Sequence, residues 1–394
     1  MKIGIDVRTL MDTYYSGVST YSFNLIQELL KIDKENNYFL YYNSAKKVTL
    51  PNFEGEYSVV HTQYPNKIFN YLLQKNLSLP KIDNTLGGLD IFLAPHYNFM
   101  ALSGGVKKVL TIHDLSFIRY PEYFSRRKNF WHQLINIKKL AHSMDVIVAV
   151  SENTKQDIIE LLNIREDKIK VVHSGLENNF IQSISDLENS NFESNVEENK
   201  YRDLKEKYNL PDKYILSLSN LEPRKNLRTL ISAYNKIRDR NPDFCNIKLV
   251  ICGAKSWSYN NIFESIEKSK YKKDIIYTSY IDNLDKPYIY RQAQIFVYPS
   301  FYEGFGFPPL EAMASAVPVI ASFSSSIPEI IDKAGILLDP KSSDELAMAM
   351  TNLLKDEKLR NYYINKGLNR AKKFSWEKTA KTYIKIFNDL KYEK

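Results

Sequence analysis

The chain has 394 residues, of which 44% are hydrophobic and 25% charged, with a formal net charge of +8. That composition excludes a disordered tail, and the length exceeds one ordinary core, so two domains are expected. No apolar run reaches the roughly 18 residues that a membrane span needs.

Met1-Lys2 and the short run Ile3-Gly4-Ile5-Asp6-Val7 do not make a secretion signal. Cys245 and Cys252 have no His or Cys partners at metal spacing, so both read as buried, reduced thiols of a cytoplasmic protein. The basic residues are dispersed, and no nucleic-acid-binding module is visible. Nucleic acid is therefore not an expected partner.

Short apolar runs alternate with helical patterns along the chain, which predicts parallel α/β units. In the first half, strands are expected near 2–7, 38–42, 91–94, 107–112, 145–150 and 168–172. Helices are expected near 18–32 and 127–143, with another after Ser151, which reads as an N-cap. Within 127–143, Phe130, Leu134, Ile137, Ala141 and Met144 form one stripe at helical spacing and should pack on the core. Trp131 and Ile135 lie off that stripe, near Lys128, Lys138 and Lys139 and after Arg126-Arg127. Such a basic, aromatic face over 126–139 suits an anionic membrane surface.

Residues 182–199 carry five acids (Asp186, Glu188, Glu193, Glu197, Glu198) and no base. The expectation is a mobile linker or insertion that buries no core. Beyond it, strands are expected near 214–219, 247–252, 295–300 and 317–321, with helices near 226–239, 309–315, 344–355, 358–372 and 376–391. The expected domains are 1–181, an acidic linker over 182–210, 211–375, and a terminal helix over 376–394.

The apolar run Ile295-Phe296-Val297-Tyr298-Pro299 leads into Ser300-Phe301-Tyr302-Glu303-Gly304-Phe305-Gly306-Phe307-Pro308-Pro309-Leu310-Glu311. Two carboxylates stand eight positions apart, with glycines between them and two prolines before the second. The prolines suit the first turn of a helix, and the glycines allow backbone to approach a ligand closely. A helix start after such a loop offers N–H groups and a positive dipole end to phosphate. Glu303 is expected on the loop and Glu311 in the first helical turn, one acceptor on each side of a phosphate seat. That arrangement suits a nucleotide-sugar.

A second constellation, Leu218-Ser219-Asn220-Leu221-Glu222-Pro223-Arg224-Lys225-Asn226-Leu227, follows a strand and begins a helix. Arg224 presents a planar fork and Lys225 a mobile point charge, both suited to a diphosphate. Two positives at a helix start oppose the dipole, which itself points to an anionic partner.

The stretch 302–321 resembles the E-x7-E signature of the large family of retaining, GT-B-fold glycosyltransferases usually numbered four. Glu222-Pro223-Arg224-Lys225-Asn226 is similar to its mannosyltransferase-like branch, although Asn220 stands where many members carry arginine. The resemblance implies two Rossmann-like, doubly wound domains facing a central cleft, with the last helix returning to the first domain. It implies Glu303 near the donor sugar and Glu311 near the ribose, with Gly304, Phe305, Gly306 and Phe307 between them. It also implies that Gly17 lets the donor phosphate approach backbone N–H groups, after Ser16 and ahead of the helix 18–32. His113, in the turn Thr111-Ile112-His113-Asp114-Leu115, would contact the donor sugar. His96, after Ala94-Pro95, lies at a strand end and would face the acceptor.

The expected activity is transfer of a hexose, mannose first, from a nucleotide-diphosphate sugar such as GDP-mannose to a lipid-linked or polysaccharide acceptor. Glu303 and His113 are the catalytic candidates, while Gly17, Arg224, Lys225, Gly304, Phe305, Gly306, Phe307 and Glu311 bind the donor. No Asp-x-Asp stands at a strand end, so neither a metal nor another cofactor is expected. The expected place is the cytoplasm, at the inner face of the plasma membrane where the acceptor is membrane-bound. A phosphorylase or sucrose-type synthase would share the fold, and a non-catalytic lipid- or nucleic-acid-binding protein is the remaining alternative.

Overall fold

The computed structural model describes residues 1–11, 17–65, 81–188, 194–256 and 259–392. Ser16 lies outside them, as do 189–193 of the acidic stretch and the side chains of Arg126 and Lys128. The chain divides into two compact units, Met1–Gly175 with Ser375–Lys394, and Leu176–Phe374.

The first unit carries β1 (Lys2–Asp6), β2 (Asn37–Asn43), β3 (Ser58–Thr62), β4 (Ile91–Ala94), β5 (Lys107–Ile112), β6 (Val146–Ala149) and β7 (Ile169–Val171). They form one parallel sheet in the order β3-β2-β1-β4-β5-β6-β7. The second unit carries β8 (Tyr214–Leu218), β9 (Lys248–Cys252), β10 (Ile275–Thr278), β11 (Ile295–Tyr298), β12 (Val319–Ser322) and β13 (Ile336–Leu338). Its sheet is parallel too, in the order β10-β9-β8-β11-β12-β13. β4, β6, β11 and β12 are buried at every position, which is why their sequences are continuous apolar runs rather than alternations.

Strand order reverses between β1 and β4 in one unit and between β8 and β11 in the other. Ligands of open parallel sheets bind outside the carboxyl ends of the strands at such reversals. The loops after β1, β4, β8 and β11 are thus the places to look.

Three strands had no expectation, β3, β10 and β13, and all three are sheet edges. Edge strands are short and half-solvated, so their apolar signal is weak; β13 is half-exposed throughout.

The helix expected over 127–143 is two, Arg126–Ile135 and Ile137–His142. Asn136 separates them in a left-handed conformation (φ 48) and caps the second through Lys139 N. The break shifts the helical phase, so the expected stripe fails at its first member. Phe130 is 61% exposed and Trp131 38%, whereas Ile135 and Ile137 are buried.

The linker expectation is also corrected. Helices span Asn178–Glu188 and Ser194–Tyr208, both within the second unit. Phe180 with Ile184, and Leu204 with Tyr208, are buried pairs one helical turn apart. Lys207 Nζ also donates to Asp282 and Asp285 at 2.6 and 2.8 Å. The boundary falls at Gly175/Leu176 rather than after 181. Gly175 is required there, because a Cβ would come within 2.1 Å of the Trp376 backbone nitrogen.

In the helix Trp376–Tyr392, Trp376, Ala380, Tyr383, Phe387 and Leu390 recur at helical spacing and are buried against the helix Gly17–Ile32 of the same unit. Ser151 Oγ accepts from Thr154 N at 3.1 Å, as an N-cap does. Cys252 is buried within β9, while Cys245 is exposed, contrary to expectation.

Candidate functional site

After β8 the chain makes a short turn, Pro223–Lys225, which Asn226 ends in a left-handed conformation (φ 55). Arg224 and Lys225 therefore lie on this turn, ahead of the helix Leu227–Arg240 rather than at its start. The turn is stitched to the loop after β11. Asn226 Nδ2 donates to Pro299 O at 3.0 Å, and Phe301 N donates to Arg224 O at 2.8 Å. Two neighbouring strand ends are thereby locked into one surface.

Glu303 is the centre of that surface. Lys225 Nζ donates to its Oε1 at 2.6 Å, and Arg224 Nη1 to its Oε2 at 3.2 Å. Ser300 Oγ and Tyr298 OH also donate to Oε1, at 2.6 and 2.9 Å. Lys225 reaches Tyr298 OH at 2.7 Å, and Arg224 Nε reaches Glu222 Oε2 at 2.8 Å. Glu303 and Lys225 are each only 7% exposed.

Burial alone would raise the Glu303 pKa, but the Lys225 and Arg224 charges and the donated hydrogen bonds overcome it and hold it at about 2. Burial and the Arg224 charge pull the Lys225 ammonium below its ordinary value, against the hold of Glu303. Glu303 is thus an ionised anchor that fixes two cations at the β8/β11 reversal. Signals for Tyr298, Ser300 and Glu222 existed in the sequence, as polar groups at strand ends, but nothing there showed that they converge.

Gly306 caps the helix Phe307–Ala314 with φ 116, and a Cβ would meet Ile327 Cδ1 at 2.9 Å. Of the first three helical positions only Phe307 carries an N–H, since Pro308 and Pro309 follow. The helix start thus offers fewer donors than expected. Phe305 is buried against the Phe307 and Phe374 rings, a packing position. Gly304 lies in the bend between Glu303 and Phe305.

Glu311 is not in the first turn but in the second, 4% exposed, with partners of its own. Tyr290 OH donates to its Oε2 at 2.8 Å, and Lys286 Nζ lies 3.6 Å from Oε1. Burial and the Glu311 charge raise nearby Glu177 to about 7, with Lys286 opposing. Neither Lys286 nor Glu177 carried any motif that would have singled it out.

In the first unit, Arg8 forks onto Asp6 at the end of β1, with Nε at 2.9 Å and Nη2 at 2.6 Å, and Nη2 also donates to Phe99 O at 2.9 Å. At the end of β5, His113 Nε2 lies 2.8 Å from Pro95 O. A carbonyl only accepts, so Nε2 carries the proton and Nδ1 keeps its lone pair. Burial lowers the His113 pKa, which keeps the ring neutral at neutral pH. Asp114 is occupied in capping the next turn, accepting from Ser116 N at 3.0 Å and Ser116 Oγ at 2.6 Å. The His96 ring lies 5.7 Å from that of His113, and its buried Nδ1 has no partner among the described residues.

Gly17 opens its helix, and among the described residues no atom outside its own helix backbone and chain neighbours lies within 4 Å of where a Cβ would be. Gly17 and His113 thus belong to the first unit, and the remaining candidates to the second. Among the described residues, no group of three or more His, Cys, Asp or Glu is placed to hold a metal ion.

Residues 200–370 match the glycosyl transferases group 1 family, and residues 15–179 match glycosyltransferase family 4. The O-antigen chain mannosyltransferase B of Escherichia coli is 32% identical over 290 residues, covering 71% of this chain and 70% of that protein. The crystal structure of a glycosyltransferase from Rickettsia africae has a TM-score of 0.71 at 18% identity, covering 100% of this chain and 99% of that one. That of Anabaena HepE in complex with UDP-glucose has a TM-score of 0.67 at 17% identity, covering 99% and 100%.

Proposed function

Since this chain belongs to the glycosyl transferases of group 1 and family 4 and has their GT-B fold, we propose that it is a retaining hexosyltransferase using a nucleotide-diphosphate sugar. The observation that carries this reading is the Arg224–Lys225–Glu303 cluster at the β8/β11 reversal. A mannosyltransferase among the relatives supports mannose, and GDP-mannose is the first donor to test. The UDP-glucose complex of HepE supports a nucleotide-sugar in general. The proposed acceptor is a lipid-linked or polysaccharide glycan of the cell surface, and the proposed place is the inner face of the plasma membrane.

In this reading the diphosphate takes Arg224 and Lys225, whose charges offset the negative charge that grows on the leaving phosphate. Glu303 holds both cations in place and serves the sugar hydroxyls, while Glu311 serves the ribose. The open helix start at Gly17 gives phosphate access to backbone N–H groups. The neutral His113 ring accepts a hydrogen bond at Nδ1 from a sugar hydroxyl. The bond from the anomeric carbon to the phosphate oxygen breaks, and a bond to the acceptor oxygen forms on the same face. The departing diphosphate takes the acceptor's hydroxyl proton. No metal is needed.

A membrane-bound acceptor gives the segment 126–139 a use. It contains no acid, and Phe130, Trp131, Arg127, Lys138 and Lys139 are all exposed. Among the described residues no helix is long and apolar enough to cross a membrane.

The test is a thermal-shift screen of GDP, UDP, ADP and their sugars, followed by transfer assays with the stabilising donor. A nucleotide at about a hundred times its Kd raises stability by roughly 2.7 kcal/mol. Sugar release that needs inorganic phosphate and no nucleotide would replace this reading with a phosphorylase.

A further inference from the structure

The helix Trp376–Tyr392 reaches the candidate site of the first unit through a chain of hydroxyls and rings. Tyr383 OH lies 2.7 Å from Thr111 Oγ1 and 2.9 Å from Tyr21 OH, and all three are buried. Thr111 is the next-to-last residue of β5, two positions before His113. The Tyr21 ring stands edge-on to the His113 ring, with centroids 4.6 Å apart at 85°. The Trp376 ring meets Tyr21 at 5.2 Å and 76°.

Among the described residues the His113 ring makes one hydrogen bond, from Nε2 to Pro95 O, while the His113 carbonyl accepts from Thr154 Oγ1 at 3.3 Å. A single hydrogen bond fixes the direction of that N–H but leaves the ring able to turn about it. The edge contact with Tyr21 sets the ring plane, and with it the direction in which the Nδ1 lone pair points. Tyr21 is in turn held by a hydroxyl and an indole from the terminal helix. Three buried hydroxyls make this a directional junction, whereas phenylalanine at both tyrosine positions would fill similar volume without the desolvation of polar groups. Burial raises both tyrosine pKa values, so the chain consists of neutral hydroxyls.

We propose that Tyr383 and Tyr21 are positioning residues for His113, and that the terminal helix is therefore part of the catalytic apparatus rather than a clasp. This rests on the reading of His113 as a site residue.

The test uses imidazole 15N spectra of the full-length protein, with His113 assigned among the six histidines by its loss in His113→Gln. Tyr383→Phe and Tyr21→Phe are expected to shift the His113 nitrogen resonances. Leu390→Ala, buried on the same helix, is expected to lower Tm and leave those resonances in place. With GDP-mannose as donor, Tyr383→Phe should lower kcat several-fold and leave the donor KM unchanged. Unmoved His113 resonances in both tyrosine variants overturn the positioning claim, as do equal shifts in Leu390→Ala. Shifted resonances together with undiminished turnover in His113→Gln overturn the catalytic relevance of the ring, and with it the part assigned to the helix.

Discussion

The Lys225 ammonium lies 2.6 Å from the Glu303 carboxylate, across the junction of two loops that leave neighbouring strands of the second sheet. Each group is buried, so neither is tolerable alone, and a ligand that takes the lysine must act on the glutamate as well.

Glu303→Gln should therefore cost more than turnover. It leaves Lys225 and Arg224 short of a buried counter-charge, a change that destabilises by about 3–5 kcal/mol in comparable sites. The pH dependence has a definite sign. The folded pKa of about 2 lies below the ordinary 4.5, so the stabilisation is complete above the ordinary value and is lost as pH falls through the folded one. Urea denaturation of both proteins from about pH 7 down to about pH 3 should show the gap between them narrowing in acid. A gap that does not change with pH would contradict an ionised, paired Glu303.

Two of the three candidate site glycines should behave differently. Gly306→Ala places a Cβ at φ 116 and within 2.9 Å of Ile327, with an expected cost of about 1–3 kcal/mol. Gly17→Ala meets no neighbouring atom among the described residues and should stay within about 0.5 kcal/mol of the parent. Its effect should appear instead as weaker donor binding. Chemical denaturation with nucleotide titration separates the two, and unchanged donor affinity in Gly17→Ala would remove Gly17 from the site.

The loops after β8 and β11 were readable in the sequence because their chemistry is local: glycines, prolines and adjacent charges follow apolar runs. The partners of the two glutamates were not readable. Glu303 and Glu311 look alike in a motif, yet one meets Lys225 and Arg224 while the other meets Tyr290 and Lys286. Only tertiary packing assigns those partners. The left-handed break at Asn136 was hidden for a similar reason. Periodicity over 127–143 reads through a single residue, Asn136, whose left-handed conformation shifts the phase, so that Ile135 rather than Phe130 is buried ahead of Ile137, Ala141 and Met144. Phe180, Ile184, Leu204 and Tyr208 were outvoted by the acids around them, although they pack the helices that replace the expected linker.

Turnover should persist in excess EDTA if, as proposed, Arg224 and Lys225 offset the phosphate charge that a metal would otherwise offset. Magnesium should stimulate modestly at most. Activity abolished by EDTA and restored by manganese would contradict this electrostatic assignment.

Vesicle binding should depend on the first unit's exposed aromatics. Phe130→Ser with Trp131→Ser is expected to lower sedimentation with phosphatidylcholine vesicles containing about 30% phosphatidylglycerol, and neutral vesicles should bind poorly. Equal binding by parent and double variant would remove this face from membrane contact.

The most direct measurement is a calorimetric titration of GDP, UDP and the matching nucleosides into the parent protein and Lys225→Ala. If Lys225 and Arg224 seat a donor diphosphate, the parent binds one diphosphate well above its nucleoside. The variant should lose about 1.5–3 kcal/mol for the diphosphate, the worth of a charge-assisted contact, and almost nothing for the nucleoside. Equal weakening of both ligands, or equal affinity of the parent for diphosphate and nucleoside, would contradict a donor-phosphate site at the β8/β11 reversal.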